Sequence, residues 1–424
     1  MSEKLPLKID VQSEIGELRA VLLHNPGAEV ENMTPKMAQR ALYSDILNLS
    51  IAQEEYAQLK GLLSKIAKVY YVEDLLVKVL GNESEKRALL EKICMSEQVG
   101  HYFGTLMDMS PSRLAKVLIE GLPAEINTLT SFLNEDYYAL FPLYNFYFTR
   151  DSSVTIGDNA LICKMANKVR MRESLIMESI YRSSGEFETG IIDACDSGGG
   201  NPNIYMEGGD ILIARDDILL IGNGMRTSTQ GIDLLVSRLC RIAPEGRRHV
   251  IVQQLPHSPE SFIHLDMVFT LLDRDRCMVF EPLILGDNQY QTVHIIIDNG
   301  KVVKISSVAN IVSVLRRLGM DLEPVVCGGG ADEWDQEREQ WHSGANFFAF
   351  APGKVISYAR NTHTLHELSK CGFEIIPAWD VIEGRADVGG DKKCVVTIEG
   401  SELPRGGGGA RCMTMPLSRK AVQW

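Results

Sequence analysis

Cys412 follows a run of four glycines and an arginine, Arg405-Gly-Gly-Gly-Gly-Ala-Arg-Cys412. Glycines 406–409 let backbone approach a ligand closely and let the loop move. The guanidinium of Arg411 next to the thiol favours thiolate, the nucleophilic form of cysteine. His264 and Asp266 are two residues apart, so an extended backbone turns both to one face. An imidazole beside a carboxylate suits proton transfer near neutral pH. Glu207-Gly-Gly-Asp210 sets two acids around two glycines, and Asp151 ends the segment Phe148-Thr-Arg-Asp151. Acids flanking glycines fit either a metal or a turn. No further carboxylate or histidine cluster sits at ligand-like spacing, so no metal is expected. Gly222-Asn-Gly224 follows a strand but lacks the third glycine of a dinucleotide loop, so no nucleotide cofactor is expected either. Taken singly, each feature has an ordinary explanation: a structural thiol, a surface ion pair, a turn.

The elements that carry these residues give them weight. Leu18–Leu23 reads as a buried strand stopped by Asn25-Pro26-Gly27, followed by a helix from Pro35 to about Ala67 and a strand at Val69–Val72. Residues from about 74 to 140 change character. Asn82 and Ser110-Pro111 announce helices there, Gly121 and Pro123 end one, and an all-helical insertion is expected. After Asn145 the chain reads as successive hairpins, the first two each followed by a helix: 154–163, 211–221, 267–280 and 347–358. Asp151, Glu207 with Asp210, and His264 with Asp266 fall at the mouths of the first three. The intervals are 59 residues (151 to 210) and 56 residues (210 to 266). That regularity predicts a degenerate repeat whose hairpin ends aim their acids at one place.

Composition bounds the rest. The 424 residues are 45% hydrophobic and 23% charged, which fits a folded chain of two or three domains' length. A net charge of −13 argues against nucleic acid or an anionic membrane as partner. The opening residues lack the apolar core of a signal peptide, and no apolar run is long enough to span a bilayer. Nine cysteines, an odd number without a C-x-x-C pair, fit reduced thiols and a cytoplasmic location.

Seven segments in order resemble the arginine deiminase family: Ser13-Glu-Ile-Gly-Glu-Leu, Asn145-Phe-Tyr-Phe-Thr-Arg-Asp151, Met206-Glu-Gly-Gly-Asp210, Gly222-Asn-Gly-Met-Arg226, His264-Leu-Asp266, Arg338-Glu-Gln-Trp341 and Arg411-Cys-Met-Thr-Met-Pro416. The resemblance spans nearly the whole chain. It implies an α/β fold, a five-unit pseudo-symmetric α/β propeller (pentein) with an inserted all-helical module. The divisions would be residues 1–73, the insertion 74–140, and 141–424. It implies hydrolysis of L-arginine to L-citrulline and ammonia, without cofactor. Cys412 would be the nucleophile, His264 the acid and base, Glu207 its orienting partner, and Asp151 with Asp266 the clamp on the guanidinium. Arg170 and Arg226 match the family's carboxylate-binding arginines, and Asn145 and Phe148 its pocket residues. Arg411, or Arg405 in its place, is a further candidate for the substrate carboxylate. An amidinotransferase and a non-catalytic arginine-binding protein are the alternatives. A homo-oligomer is expected.

Overall fold

In the computed structural model, residues 5–424 are described apart from 36, 39–42, 44, 134–136, 195–200 and 243. Among them, five sheets share one pairing pattern: an antiparallel hairpin whose inner strand also pairs in parallel with a strand reached through a helix. The hairpin Ser153–Ile156/Asn159–Ile162 takes Gly190–Asp193 as its parallel partner. Ile211–Arg215/Ile218–Asn223 takes Arg247–Gln254. Phe269–Asp273/Arg276–Val279 takes Glu323–Val326. Phe348–Ala351/Lys354–Tyr358 takes Cys394–Ile398, which pairs further with Glu374–Pro377. The remaining sheet is built from both ends of the sequence. Leu18–Leu23 pairs antiparallel with Met415–Arg419 and parallel with Lys68–Tyr71.

Connecting helices Leu49–Ile66, Met171–Ser183, Thr229–Ile242, Ile311–Arg317 and Thr362–Lys370 lie between the hairpins and their third strands. Each presents an apolar stripe to the sheets, with Ile232, Leu235, Val236 and Leu239 buried on the third. Inner strands such as Ile211–Arg215 and Ile218–Asn223 are buried on both faces, which is why they read as continuous apolar runs such as Ile211-Leu-Ile-Ala.

Three details differ from expectation. The helix expected from Pro35 to about Ala67 is interrupted: Pro35, Met37 and Ala38 are helical, residues 45–48 are not, and a helix runs Leu49–Ile66, where the Asn48 side chain accepts from the Ile51 amide; part of the expected span lies outside the described residues. The segment 74–140 is not all helical: after helices Val72–Leu80, Glu83–Glu97 and Pro111–Glu120, a short ladder joins Leu122–Pro123 to Tyr138–Leu140. Its helices also share one core with the sheets, in which Leu76, Leu90 and Leu118 join Leu22, Ile162, Ile180 and Leu417. Finally, a hairpin at Thr292–Asp298/Lys301–Val308 extends the sheet of residues 211–254 to five strands.

Candidate active site

Each of the five hairpins is entered through a short turn, and those turns carry the site. Asp151 lies in the helical turn Thr149–Ser152, directly ahead of the strand Ser153–Ile156. Glu207 caps the turn Gly208–Asp210 ahead of Ile211–Arg215. His264 caps Leu265–Met267, which carries Asp266, ahead of Phe269–Asp273. Asn346 stands two residues before Phe348–Ala351, and Cys412 three before Met415–Arg419. All are buried.

The Cys412 sulfur lies 3.6 Å from Asp266 Oδ2 and 3.9 Å from Oδ1. His264 Nε2 is 3.0 Å from Glu207 Oε2, and Nδ1 is 3.8 Å from Asp151 Oδ1. A cavity of about 300 Å³ is lined by Asn145, Phe148, Asp151, Arg170, Arg226, Ile263, His264, Gly406–Gly408 and Cys412. Arg226, Ile263 and Gly407 also line a larger, mainly apolar opening of about 670 Å³ beside it. Seven of the ten expected site residues thus face one space, while Glu207, Asp266 and Arg411 stand behind it.

Close packing explains two of the glycines. A Cβ on Gly408 would stand 2.5 Å from the Phe148 ring and 3.0 Å from Cys412 Cβ, and one on Gly209 would stand 2.4 Å from His264 Nδ1. Both loops need a residue without a side chain to approach the ring or the thiol this closely.

Two arginines have other partners than expected. Arg170 donates to Asp151 Oδ2 at 2.7 Å, to both oxygens of Glu173 at 2.9 and 2.8 Å, and to the Asn145 carbonyl. Arg411 donates to both oxygens of Glu14 at 3.0 Å, to Asp266 Oδ2 at 2.8 Å, and to the Ile211 carbonyl. Each guanidinium holds one of the two acids in place. Arg226 is only loosely tied, 3.4 Å from Glu207 Oε1, and reaches both spaces. Arg405 is on the exposed rim, paired with Asp45.

The electrostatics follow from these contacts. Burial opposes charge on His264, but Asp151, the hydrogen bond to Glu207, and the charges of Asp210 and Glu207 outweigh it and lift its pKa to about 9. Glu207 is pushed up by burial and brought well below the usual carboxylate range by Arg226, His264 and Arg170. Burial, then Asp266 and Asp151, raise the Cys412 thiol well above its ordinary value, and Arg411 does not compensate. Arg411 does favour thiolate, as expected, but burial and the two acids outweigh it. Its charge is spent on Glu14 and Asp266.

Donor atoms of Asp151, Glu207 and His264 lie within 4.8 Å of one another, a spacing open to a metal. The surroundings do not suit one: the guanidinium groups of Arg170 and Arg226 already pair with the two acids, and a divalent cation would be repelled by both.

Sequence reasoning assigned no role to Glu14 or Asn346. Glu14 carried no sign beyond its place in the first motif. Asn346 had one: it precedes the fourth hairpin as Asp151, Asp210 and Asp266 precede theirs. Its Nδ2 donates to the Cys412 sulfur at 3.2 Å.

The arginine deiminase family model matches residues 39–419. The arginine deiminase of Limosilactobacillus reuteri (strain DSM 20016) is 34% identical over 437 residues, spanning 98% of this chain and 99% of that protein. That of Bacillus cereus (strain ATCC 10987 / NRS 248) is 33% identical, spanning 98% and 99%. Among solved structures, the N-terminal domain of ArgZ, an arginine dihydrolase from cyanobacteria, superposes with a TM-score of 0.52 at 14% identity, over 95% of this chain and 99% of that one. SxtG, an amidinotransferase from Microseira wollei, gives 0.54 at 12% identity, over 99% of each. These two likenesses establish a shared fold. Matches of that length to the family model and to its members mean that the chain belongs to the arginine deiminase family.

Proposed function

We propose that this chain hydrolyses L-arginine to L-citrulline and ammonia through a covalent amidino-cysteine intermediate. The observation that carries the reading is a buried cysteine sulfur 3.6 Å from one carboxylate, in the same cavity as a second carboxylate and a histidine of raised pKa.

A guanidinium has a pKa of about 12.5–13.8 and arrives as a delocalised cation. Its planar fork matches carboxylates bidentately. Asp151 Oδ1 is buried without a hydrogen-bond partner and lies on the cavity, as a clamp on one edge of the cation requires. Asp266, beside the sulfur, serves the other. Arg170 and Arg411 fix those acids, and Arg226 takes the substrate carboxylate. Asn145 and Phe148 line the path of the aliphatic stem.

Entry of the cation offsets the two acids' charge, and the thiol loses its proton to water. The sulfur pair attacks the guanidinium carbon, and the C=N electrons move onto nitrogen. Protonated His264, held by Glu207, gives its proton to the departing nitrogen as the C–N bond breaks, and ammonia leaves. Water then attacks the amidino-cysteine carbon while neutral His264 takes a proton. The C–S bond breaks as the C=O bond forms, the sulfur takes the electron pair and the hydroxyl proton to restore the thiol, and citrulline leaves. No step calls for a metal or organic cofactor.

The deciding experiment is an assay of citrulline and ammonia from L-arginine, with and without glycine. Both products, unaffected by glycine, are expected. The fold shared with SxtG keeps an amidinotransferase as the second reading; ornithine appearing only with glycine would establish it. Unchanged arginine with saturable binding would point to a non-catalytic binding protein.

At the level of the molecule we propose that the five sheets ring a common axis, a reading supported by their identical pairing and by Met415–Arg419 completing the sheet of Leu18–Leu23. Residues 74–140 would be a largely helical addition to the first unit. Exposed Val302, Val303 and Ile305 on an edge strand support a homo-oligomer. Free thiols at the eight described cysteines support a cytoplasmic location. No helix among the described residues is long and apolar enough to cross a membrane.

A further inference from the structure

We infer that Asn346 is a catalytic residue whose side-chain amide donates to the Cys412 sulfur and stabilises the thiolate as it attacks and as it departs. The inference rests on the hydrolytic reading of the site proposed above.

Asn346 is almost fully buried and every polar atom of its side chain is used on the nucleophile's loop. Nδ2 donates to the sulfur at 3.2 Å and to the Asp266 carbonyl at 3.1 Å. Oδ1 accepts from the backbone amides of Arg411 at 2.9 Å and Cys412 at 3.3 Å. One side chain therefore ties the sulfur, the backbone that carries it, and the backbone of the neighbouring acid. It stands at the hairpin entrance that on the other four sheets supplies Asp151, Glu207 with Asp210, His264 with Asp266, and Cys412.

The chemistry calls for a donor of this kind. The sulfur faces Asp266 and Asp151, whose charges disfavour a thiolate, while the adjacent Arg411 is turned to Glu14 and Asp266. A cationic donor at the sulfur would compete with the guanidinium for the same acids. A neutral amide adds a hydrogen bond to developing negative charge and leaves the acids to the substrate. As the sulfur becomes anionic, the existing contact strengthens without any rearrangement.

The test compares wild type with Asn346→Ala and Asn346→Asp, reading the pH dependence of iodoacetamide alkylation of Cys412 together with kcat and KM for L-arginine. In Asn346→Ala the alkylation profile should move to higher pH by about one unit. Its kcat should fall about a hundredfold while KM stays within about threefold, since the donor touches sulfur and not substrate. Asn346→Asp, which adds a third carboxylate, should shift the profile further. An alkylation profile that overlays wild type, or a kcat within about threefold of it, overturns the inference. If the alanine variant does not fold, Asn346→Leu, which keeps the side chain's size without its donor, is read by the same two criteria. If wild type releases no citrulline, the proposed function fails, and the alkylation profile alone decides the role of Asn346.

Discussion

Burial and charge act on His264 and Cys412 in opposite senses, and that opposition organises the chemistry. Four carboxylates around or near the pair favour imidazolium and oppose thiolate, so the resting site holds a protonated acid and a neutral thiol until a cation arrives. Activity at high pH should therefore decline as pH rises through about 9, where the acid is lost, in a profile of kcat/KM against pH. Stability follows the same group. Its folded pKa lies above its unfolded value near 6.5, so its contribution is fully present below that value and is lost as pH rises through about 9. Melting curves of wild type should show this loss between these limits, and His264→Gln should remove that component. Cys412→Ala should abolish citrulline formation while calorimetry still detects arginine binding, because both acids remain in place. Arg411→Met would strand Glu14 and Asp266 buried without their cation, a loss on the order of 3–5 kcal/mol in urea unfolding. That Asp151, His264 and Cys412 would meet was legible because each stands at the mouth of an expected unit or beside a glycine loop. The weight of Arg411 was not legible, because nothing local shows that its guanidinium pairs with Glu14 and with the same Asp266 that faces the sulfur.

The elements act as rulers for those side chains. Gly209 shows how little slack they have: Gly209→Ala would put a methyl against the His264 ring and turn it off Glu207. A displacement near 1 Å at such a site costs about a hundredfold in rate, so single-turnover kinetics should show a large fall in kcat with the fold intact by circular dichroism. Four hairpins and the helices after the first two were readable from apolar runs and turn residues. The hairpin Thr292–Asp298/Lys301–Val308 was passed over although Asn299-Gly300 lies between two apolar runs. Both turn residues have positive φ, 47° and 72°, as a tight two-residue turn requires. Its second strand faces solvent at several apolar positions, and such a mixed pattern gives neither clean alternation nor a buried run. The helices of 74–140 were found, but their union with the main core was not, since burial against a distant sheet leaves no local mark.

At the scale of the molecule the site draws on all five hairpin entrances, and its charges are already paired before a ligand arrives. Dialysis against EDTA should leave turnover within about twofold of the untreated protein, because Arg170 and Arg226 occupy the neighbourhood a cation would need. A large loss restored by a divalent ion would contradict that arrangement. The repeat was visible in the 59- and 56-residue intervals, yet only the first three hairpin mouths carry the acids and histidine that drew notice. The fourth presents an amide and the fifth a thiol. The pairing of Met415–Arg419 with Leu18–Leu23 has a temporal consequence. The sulfur's seat depends on a strand made late joining one made early, so a chain that stops short of Met415–Arg419 holds its acids ready while the thiol has nowhere to dock. Reactivity toward guanidines would thus switch on only once that late strand has docked.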